Sequence, residues 1–200
     1  MNDDNGGGAD VFVETAKAAI RAYVKNGEHL TAGAGGIRGA DGAQCLPPGL
    51  DIGPLLGGRA GVFVSIKKLG SLRGCIGTIS PFRGNLAEEI IYNAVNACGF
   101  DPRFPPVGPE ELADLTVSVD VLAEAEPVDS TEELDVNRYG VIVSKGYRRG
   151  LLLPNLEGVD TVEYQLQIAL SKAGIRPNEK YGIERFEVVR HELGGRMGGE

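Results

Sequence analysis

The chain has 200 residues, 42% of them hydrophobic and 6% aromatic, which suffices for one domain, or one and a half, with a largely aliphatic core. Its 20 basic and 28 acidic residues give a net charge of −8, which argues against attraction of the whole surface to nucleic acid or an anionic membrane. Its 30 glycines exceed the usual share of about 7% and predict many tight turns or long loops.

The cysteines and the start of the chain bear on the cellular compartment. Residues 1–10 have neither the basic nor the apolar region of a signal peptide, and no apolar run approaches the roughly 20 residues of a membrane span. Cys45, Cys75 and Cys98 are odd in number, widely spaced and outside any CxxC or histidine cluster. This pattern predicts reduced thiols in a cytoplasmic protein, without a disulfide framework, a metal site or a cofactor.

The first half of the chain predicts one helix, one long loop and one hairpin. Asp10 caps a helix whose apolar residues follow the helical period and which ends at Gly27. Thr31–Gly58 is rich in glycine and proline and has no period, so it is predicted to be a loop. Val62–Ile66 alternates as a strand does, and a turn leads into a second strand, Leu72–Thr78.

The middle of the chain predicts a second helix and three further strands. Asn85 is the expected N-cap of the helix, and Asp101–Pro109, with four prolines, is expected to be irregular. Leu115–Val121 shows the clearest alternation in the chain. Two shorter strands are predicted at Tyr139–Ser144 and Gly150–Leu153.

The last third predicts a helix and a strand. Asp160 and Glu163 fit a capping box for a helix that ends at Gly174, and Arg185–Arg190 is predicted to be the last strand. Hairpins mixed with isolated helices indicate an α+β fold, with a mainly antiparallel sheet flanked by helices.

Four short motifs follow one another in a fixed order. They are LRGCIG at Leu72–Gly77, DPRFP at Asp101–Pro105, the serine-containing strand Leu115–Leu122 followed by Pro127, and Leu152–Pro154 followed by a helix that ends in Lys172–Gly174. Together they resemble the AMMECR domain family, whose signature is the first hexapeptide, and the similarity covers about residues 60–175.

The resemblance implies one domain over residues 1–200. It would contain an antiparallel sheet with helices and a smaller, closely packed α/β subdomain, and the signature would lie near a surface cleft. Residues 1–9 and 194–200 are expected to be flexible. The family implies no established reaction, only a suspicion of activity at the signature cysteine. Some bacterial relatives resemble fusions with Memo-type proteins, which makes such proteins expected partners.

Basic residues are concentrated in two stretches without Asp or Glu. Ile52–Ala87 and Val136–Leu156 contain no acid but hold nine basic residues, namely Arg59, Lys67, Lys68, Arg73, Arg83, Arg138, Lys145, Arg148 and Arg149. If the two stretches are neighbours in the fold, they form a positive patch on an acidic protein. Otherwise the basic residues are solvated strand ends and turns.

Cys75 lies in the first of these stretches. Its neighbour Arg73 and nearby backbone N–H groups favour the thiolate, and Gly74 and Gly77 let a ligand approach closely. These features make Cys75 a candidate nucleophile and Arg73 a candidate anion clamp. The alternative is that Cys75 is a small buried residue where strands pack tightly.

The other candidate residues are less specific. Asp101 is the second catalytic candidate, although it can equally cap the turn at Pro102 or pair with Arg103. His29 and His191 would reach Cys75 only through the fold. The candidate substrate-binding residues are Arg73, Gly74, Gly77, Thr78, Arg103 and Ser118, and no spacing of metal ligands is present.

Three classes of function are compatible with these residues. The first is an enzyme that acts on a small anionic or nucleotide-like substrate at Cys75. The second is a non-catalytic binding or adaptor module, in which the same cleft holds an acidic peptide or another subunit. Nucleic-acid binding ranks last, because the net charge is negative and basic and aromatic residues are not interleaved.

Overall fold

The computed structural model describes residues 9–192 and 195–197. The chain divides into unit 1, Met1–Val121 with Arg190–Glu200, and unit 2, Leu122–Val189. Every strand pairing whose register is described is antiparallel, so the α+β class is confirmed.

The elements are α1 Val11–Asn26, β1 Thr31–Gly33, β2 Gly36–Arg38, α2 Gly53–Leu56, β3 Val62–Lys68, β4 Ser71–Thr78, α3 Leu86–Gly99, β5 Leu115–Leu122, β6 Glu126–Pro127, β7 Gly140–Lys145, β8 Arg148–Leu152, α4 Val162–Ala173, β9 Gly182–Phe186 and β10 Val188–Glu192, with 3-10 turns at Pro109–Asp114 and Thr131–Glu133.

Helices α1 and α3 begin at the predicted capping residues. The Asp10 carboxylate accepts the N–H groups of Phe12 and Val13, at 2.8 and 3.2 Å, and Gly27 ends α1 in the left-handed region, at φ 68°. Asn85 accepts the N–H of Glu88 at the start of α3. The two helices pack against each other.

The main sheet of unit 1 has the strand order β10-β5-β3-β4. Val62, Val64 and Ile66 of β3 are fully buried, and α3 packs on β3 and β4. Because successive side chains of a strand point to opposite faces, Phe63 and Ser65 lie on the other face, where both are half-buried. The predicted hairpin is confirmed, and it creates two chemically different sheet faces.

The predicted long loop is wrong in part, because Thr31–Gly58 contains the β1–β2 hairpin and the helix α2. Ile37 and Leu55 are fully buried and anchor this segment in the core of unit 1. Strands of three residues and a helix of four are too short to show a hydrophobic period.

Unit 2 is built on a second sheet, of order β6-β9-β7-β8, with α4 packed on β7 and β8. The cap of α4 is Thr161, whose hydroxyl accepts the Tyr164 N–H at 3.2 Å, so the predicted capping box at Asp160 and Glu163 is wrong by one residue. Gly174 ends α4 in the left-handed region, as predicted.

The predicted last strand, Arg185–Arg190, is two strands in different sheets. β9 belongs to the sheet of unit 2 and β10 to the sheet of unit 1, and alternation alone does not reveal where a chain changes sheet. Of the end predicted to be flexible, Met197 is buried and donates its N–H to the Leu115 carbonyl at 2.8 Å. Residues 1–8, 193–194 and 198–200 lie outside the described residues.

Within the described part of the chain, the helices are too short or too polar to cross a lipid bilayer.

Candidate functional site

Cys75 lies in a row of three polar side chains that crosses the sheet of unit 1. Cys75 in β4 is paired with Ser65 in β3, and Ser65 is paired with Ser118 in β5. All three are half-buried, and the Ser65 hydroxyl donates to the Cys75 sulfur at 3.3 Å. We call Cys75, Ser65 and Ser118 the polar row.

The polar row lies on the sheet face that does not pack against α3. A Cβ on Gly74 would collide with the Ala97 carbonyl of α3, so Gly74 faces the helix and its neighbour Cys75 faces away from it. Ser118 was predicted from sequence and Ser65 was not. The alternation of β3 could have identified Ser65, because a polar residue between Val64 and Ile66 must lie on the face opposite the core.

Asp101 and Arg103 hold the main chain of Cys75 at the free edge of β4. The Cys75 N–H donates to Asp101 Oδ2 at 2.8 Å, and Arg103 Nη2 donates to the Cys75 carbonyl at 2.9 Å. The same guanidinium binds both carboxylate oxygens of Asp101, at 2.9 and 2.7 Å. Both main-chain groups of an edge residue are therefore satisfied by one ion pair.

The electrostatics of this pair favour a positioning role for Asp101. Hydrogen bonds from Arg103 hold the pKa of Asp101 well below its usual range, against the effect of burial, and the Cys75 N–H adds to the shift. A carboxylate with so low a pKa is a weak base, and it contacts the nitrogen of Cys75 rather than the sulfur. The pKa of Arg103 is raised, mainly by its hydrogen bonds to Asp101, and the neighbouring Cys75 adds to the shift.

A second ion pair, on β5 and β10, brings an arginine near the cysteine. Arg190 Nε and Nη2 donate to the two carboxylate oxygens of the buried Asp120, at 2.7 and 3.0 Å. The pKa of Arg190 is raised, mainly by its hydrogen bond to Asp120, and Cys75 lies close enough to add to the shift. No sequence motif points to Arg190, which is 115 positions from Cys75 in the printed sequence.

Arg73 is not the free anion clamp that the sequence suggests. Its Nε and Nη2 bind the Glu111 carboxylate at 3.0 and 2.8 Å, and its other contacts are the carbonyls of Pro105 and Pro106. Lys68 binds the same carboxylate at 2.9 Å. Hydrogen bonds from Arg73 lower the pKa of Glu111 to about 2, against the opposing effect of burial.

Gly74 and Gly77 are close-packing positions within unit 1. Gly74 lets α3 approach β4, as described above, and a Cβ on Gly77 would collide with the ring of Phe63 on the neighbouring strand. The space that a side chain would need at these two positions is occupied by the Ala97 carbonyl and the Phe63 ring. A ligand is not needed to explain either glycine.

Thr78 is bound on the helix side of the sheet, away from the polar row. Its hydroxyl donates to Oε1 of the fully buried Glu89 at 2.6 Å and accepts a hydrogen bond from Asn93 at 3.2 Å. Thr78 thus belongs to the contact between β4 and α3. It does not lie beside Cys75, as the proposed substrate-binding set implied.

Acids distant in sequence neutralise much of the predicted basic patch. The two basic stretches fall in different units, and within each unit several of their cations form ion pairs. The pairs are Lys68 and Arg73 with Glu111, Lys145 and Arg148 with Glu179, Arg149 with Glu184, and Arg138 with Glu187. A stretch that contains no acidic residues in the sequence can therefore still have acidic side chains from other segments beside it in the fold.

The two histidines are engaged elsewhere in unit 1. His191 Nδ1 lies 2.8 Å from Asp10 Oδ2, and the His191 ring stacks on Phe12. His29 packs edge-on against Tyr23. Neither ring is hydrogen-bonded to the polar row in the part of the chain that the structure describes.

The other two cysteines have surroundings that disfavour the thiolate. Burial raises the pKa of Cys98 to about 12 and also raises the pKa of Cys45. Over residues 9–192 and 195–197, no group of three His, Cys, Asp or Glu side chains is placed to hold a metal ion.

The fold and site define a two-unit α+β protein in which the LRGCIG strand is a sheet edge held by the DPRFP segment. The AMMECR1 family model matches residues 13–191. The chain therefore belongs to the AMMECR1 family.

Relatives occur in both bacteria and archaea. Protein CA_C1420 of Clostridium acetobutylicum is 60% identical over 134 residues, which are 67% of this chain and 28% of that protein. The chain thus covers well under two thirds of that longer relative. A protein of Methanothermobacter thermautotrophicus is 40% identical, with 92% of this chain and 93% of that protein covered.

A solved structure has the same fold. It is the crystal structure of the uncharacterized protein PH0010 from Pyrococcus horikoshii, which is 31% identical to this chain. The TM-score is 0.76, with 94% of this chain and 92% of that chain covered.

Proposed function

We propose that this chain is an enzyme that acts on a small anionic substrate, with Cys75 as its nucleophile. The observation that carries the proposal is the position of the Cys75 sulfur. It lies in a polar row, hydrogen-bonded to Ser65, on the sheet face away from α3, and the Arg103 guanidinium binds the main-chain carbonyl of the same residue.

Each of these residues has a definite part in the proposal. Asp101 and Arg103 fix the main chain of Cys75, which limits the movement of the nucleophile. Arg103 and Arg190 are each paired with an Asp through Nε and Nη2, but their side chains are 54% and 44% exposed. In the proposal, their Nη1 groups donate hydrogen bonds to the anionic substrate. Ser118 completes the row as a hydrogen-bonding group for the substrate.

The test compares two alkylating reagents that differ in charge. Iodoacetate carries a negative charge and iodoacetamide does not, so a cationic site around Cys75 favours iodoacetate. We expect the iodoacetate-to-iodoacetamide rate ratio at Cys75 to exceed the ratio at Cys45 about tenfold, and R103Q and R190Q to reduce it. The control is K67Q, which removes an exposed cation of β3. Equal ratios at Cys75 and Cys45 would contradict an anion-attracting site.

The second candidate function is a non-catalytic binding or adaptor module. It is favoured by the internal contacts of Arg73 and Thr78 and by the position of Asp101, which touches the Cys75 nitrogen rather than its sulfur. In this case the exposed guanidinium groups hold an acidic peptide or another protein. The family resemblance adds Memo-type proteins as candidate partners.

The proposal also places the protein in the cytoplasm, because free cysteine thiols are typical of a reducing compartment.

A further inference from the structure

A pocket separate from the polar row lies where the chain after α1 meets the start of α3. Its volume is about 310 Å³, at the lower end of the range for small-molecule sites. Leu30 and Ile91 supply apolar walls, and His29 and Thr31 supply polar groups on one side.

The distinctive group of this pocket is the Arg83 guanidinium. It stacks on the Tyr92 ring, with its central carbon 4.1 Å from the ring centroid. Its Nε is buried and has no hydrogen-bond partner among the described residues. Because water does not reach this nitrogen, a ligand oxygen would meet the guanidinium at its terminal Nη groups on the wall of the pocket.

Arg83 is fixed at its main chain before any ligand binds. Its N–H and that of Phe82 both donate to Oε2 of the buried Glu89, at 2.7 and 2.8 Å. Its carbonyl accepts a hydrogen bond from Arg59 Nε at 3.1 Å. A preorganised cation loses less conformational entropy on binding than a mobile one.

The charges of the pocket select the class of ligand. A guanidinium fork matches either a carboxylate or a phosphate. Glu88 lines the same pocket, and its negative charge repels a doubly charged phosphate more strongly than a singly charged carboxylate. We infer that this pocket binds a small monocarboxylate with an apolar or aromatic body, whose carboxylate is held by Arg83 and whose body lies against Leu30 and Ile91.

The test is a titration of the full chain with three probes. Binding is monitored by NMR, through the chemical shifts of the backbone amides and of the arginine Nε–H groups. Benzoate combines the carboxylate with a flat apolar body, benzyl alcohol keeps the body without the charge, and inorganic phosphate has charge without the body. We expect benzoate to shift Arg83 and Tyr92 with a Kd on the order of 1 mM, and the other two probes to bind at least tenfold more weakly.

Two variants distinguish this pocket from general attraction to cations. R83Q should weaken benzoate binding at least tenfold, whereas K67Q, which removes an exposed cation of β3 that does not line the pocket, should change it less than twofold. If R83Q does not fold, R83K keeps the charge without the planar fork and should still weaken binding several-fold. Equal binding of benzoate and phosphate, or equal losses in K67Q and R83Q, would overturn the inference. The experiment does not involve Cys75, so its failure would leave the proposed function standing.

Discussion

The Asp101–Arg103 pair controls Cys75 through its main chain. The carboxylate accepts the Cys75 N–H and the guanidinium donates to its carbonyl, so the sulfur itself makes its hydrogen bond with Ser65. At the scale of single residues, this separates the proposed reacting group from the groups that hold it in place. Such a division is typical of sites in which supporting contacts fix a residue without blocking its functional atom.

Replacement of Cys75 by serine should have little effect on stability. The sulfur is half-buried beside the Ser65 hydroxyl, so a serine hydroxyl can take its place in the polar row. We expect C75S to change the free energy of unfolding in urea by less than about 0.5 kcal/mol.

The matched control is C98S. Cys98 is buried in the hydrophobic core of unit 1, so the variant should lose about 1 kcal/mol or more. Similar losses in the two variants would show that Cys75 is a packing residue.

The sequence located the candidate nucleophile better than the charges around it. Cys75 and Ser118 are where the alternation of β4 and β5 predicts them, because strand periodicity is a local property. Arg73 was assigned to the site because it is close in sequence, but it is bound to Glu111, 38 positions away. Ion pairs between distant segments depend on the tertiary fold, which a single sequence does not reveal.

At the scale of secondary-structure elements, Glu111 connects the edge strand β4 to the turn Pro109–Asp114. Its carboxylate binds Arg73 in β4 and Lys68 in β3, and it accepts the Gly108 N–H at 3.0 Å. The irregular segment Asp101–Pro109 is therefore held by Glu111 at its C-terminal end, in addition to the contacts of Asp101 and Arg103 with Cys75 near its start.

This connection should make stability depend on acidic pH. The pKa of Glu111 is about 2 in the folded protein against 4.5 in the unfolded chain. Because the folded pKa is the lower one, the stabilisation is complete above about pH 4.5 and is lost as the pH falls toward 2.

E111Q should remove the part of that dependence that Glu111 causes. We expect it to lower the free energy of unfolding by roughly 2 kcal/mol at pH 7 and to flatten the decline in stability between pH 4.5 and 2, measured by urea unfolding at each pH. E110Q, at the exposed neighbouring position, is the control and should behave as the wild type. An E111Q profile that is parallel to the wild-type profile would show that another carboxylate causes the dependence.

Long elements were predictable and short ones were not. The helices α1 and α3 and the hairpin β3–β4 have enough residues to show a period and a cap. The strands β1 and β2 have three residues each, and their positions depend on the burial of Ile37 in a core that the rest of unit 1 supplies. Thr161 and Asp160 are both good N-caps, so local chemistry could not choose between them.

At the scale of the whole molecule, the net charge of −8 does not indicate which charged side chains surround Cys75. Acids pair with several of the cations in the two basic stretches, while Arg103 and Arg190 are brought to Cys75 from segments that are far apart in sequence. The proposed division into one domain with two closely packed subdomains stays a prediction. The central claim is that this acidic chain contains one cysteine with the surroundings of a reactive thiol.

The most direct test of that claim is the alkylation rate of each cysteine in the native protein. Iodoacetamide is applied between pH 5 and 9, and the three sites are separated by peptide mass spectrometry. We expect Cys75 to react fastest over the whole range, because burial raises the pKa of both Cys45 and Cys98 and Cys75 lies on the face that α3 leaves open. A rate at Cys75 no greater than that at the buried Cys98 would contradict the claim and end the case for catalysis at this sulfur.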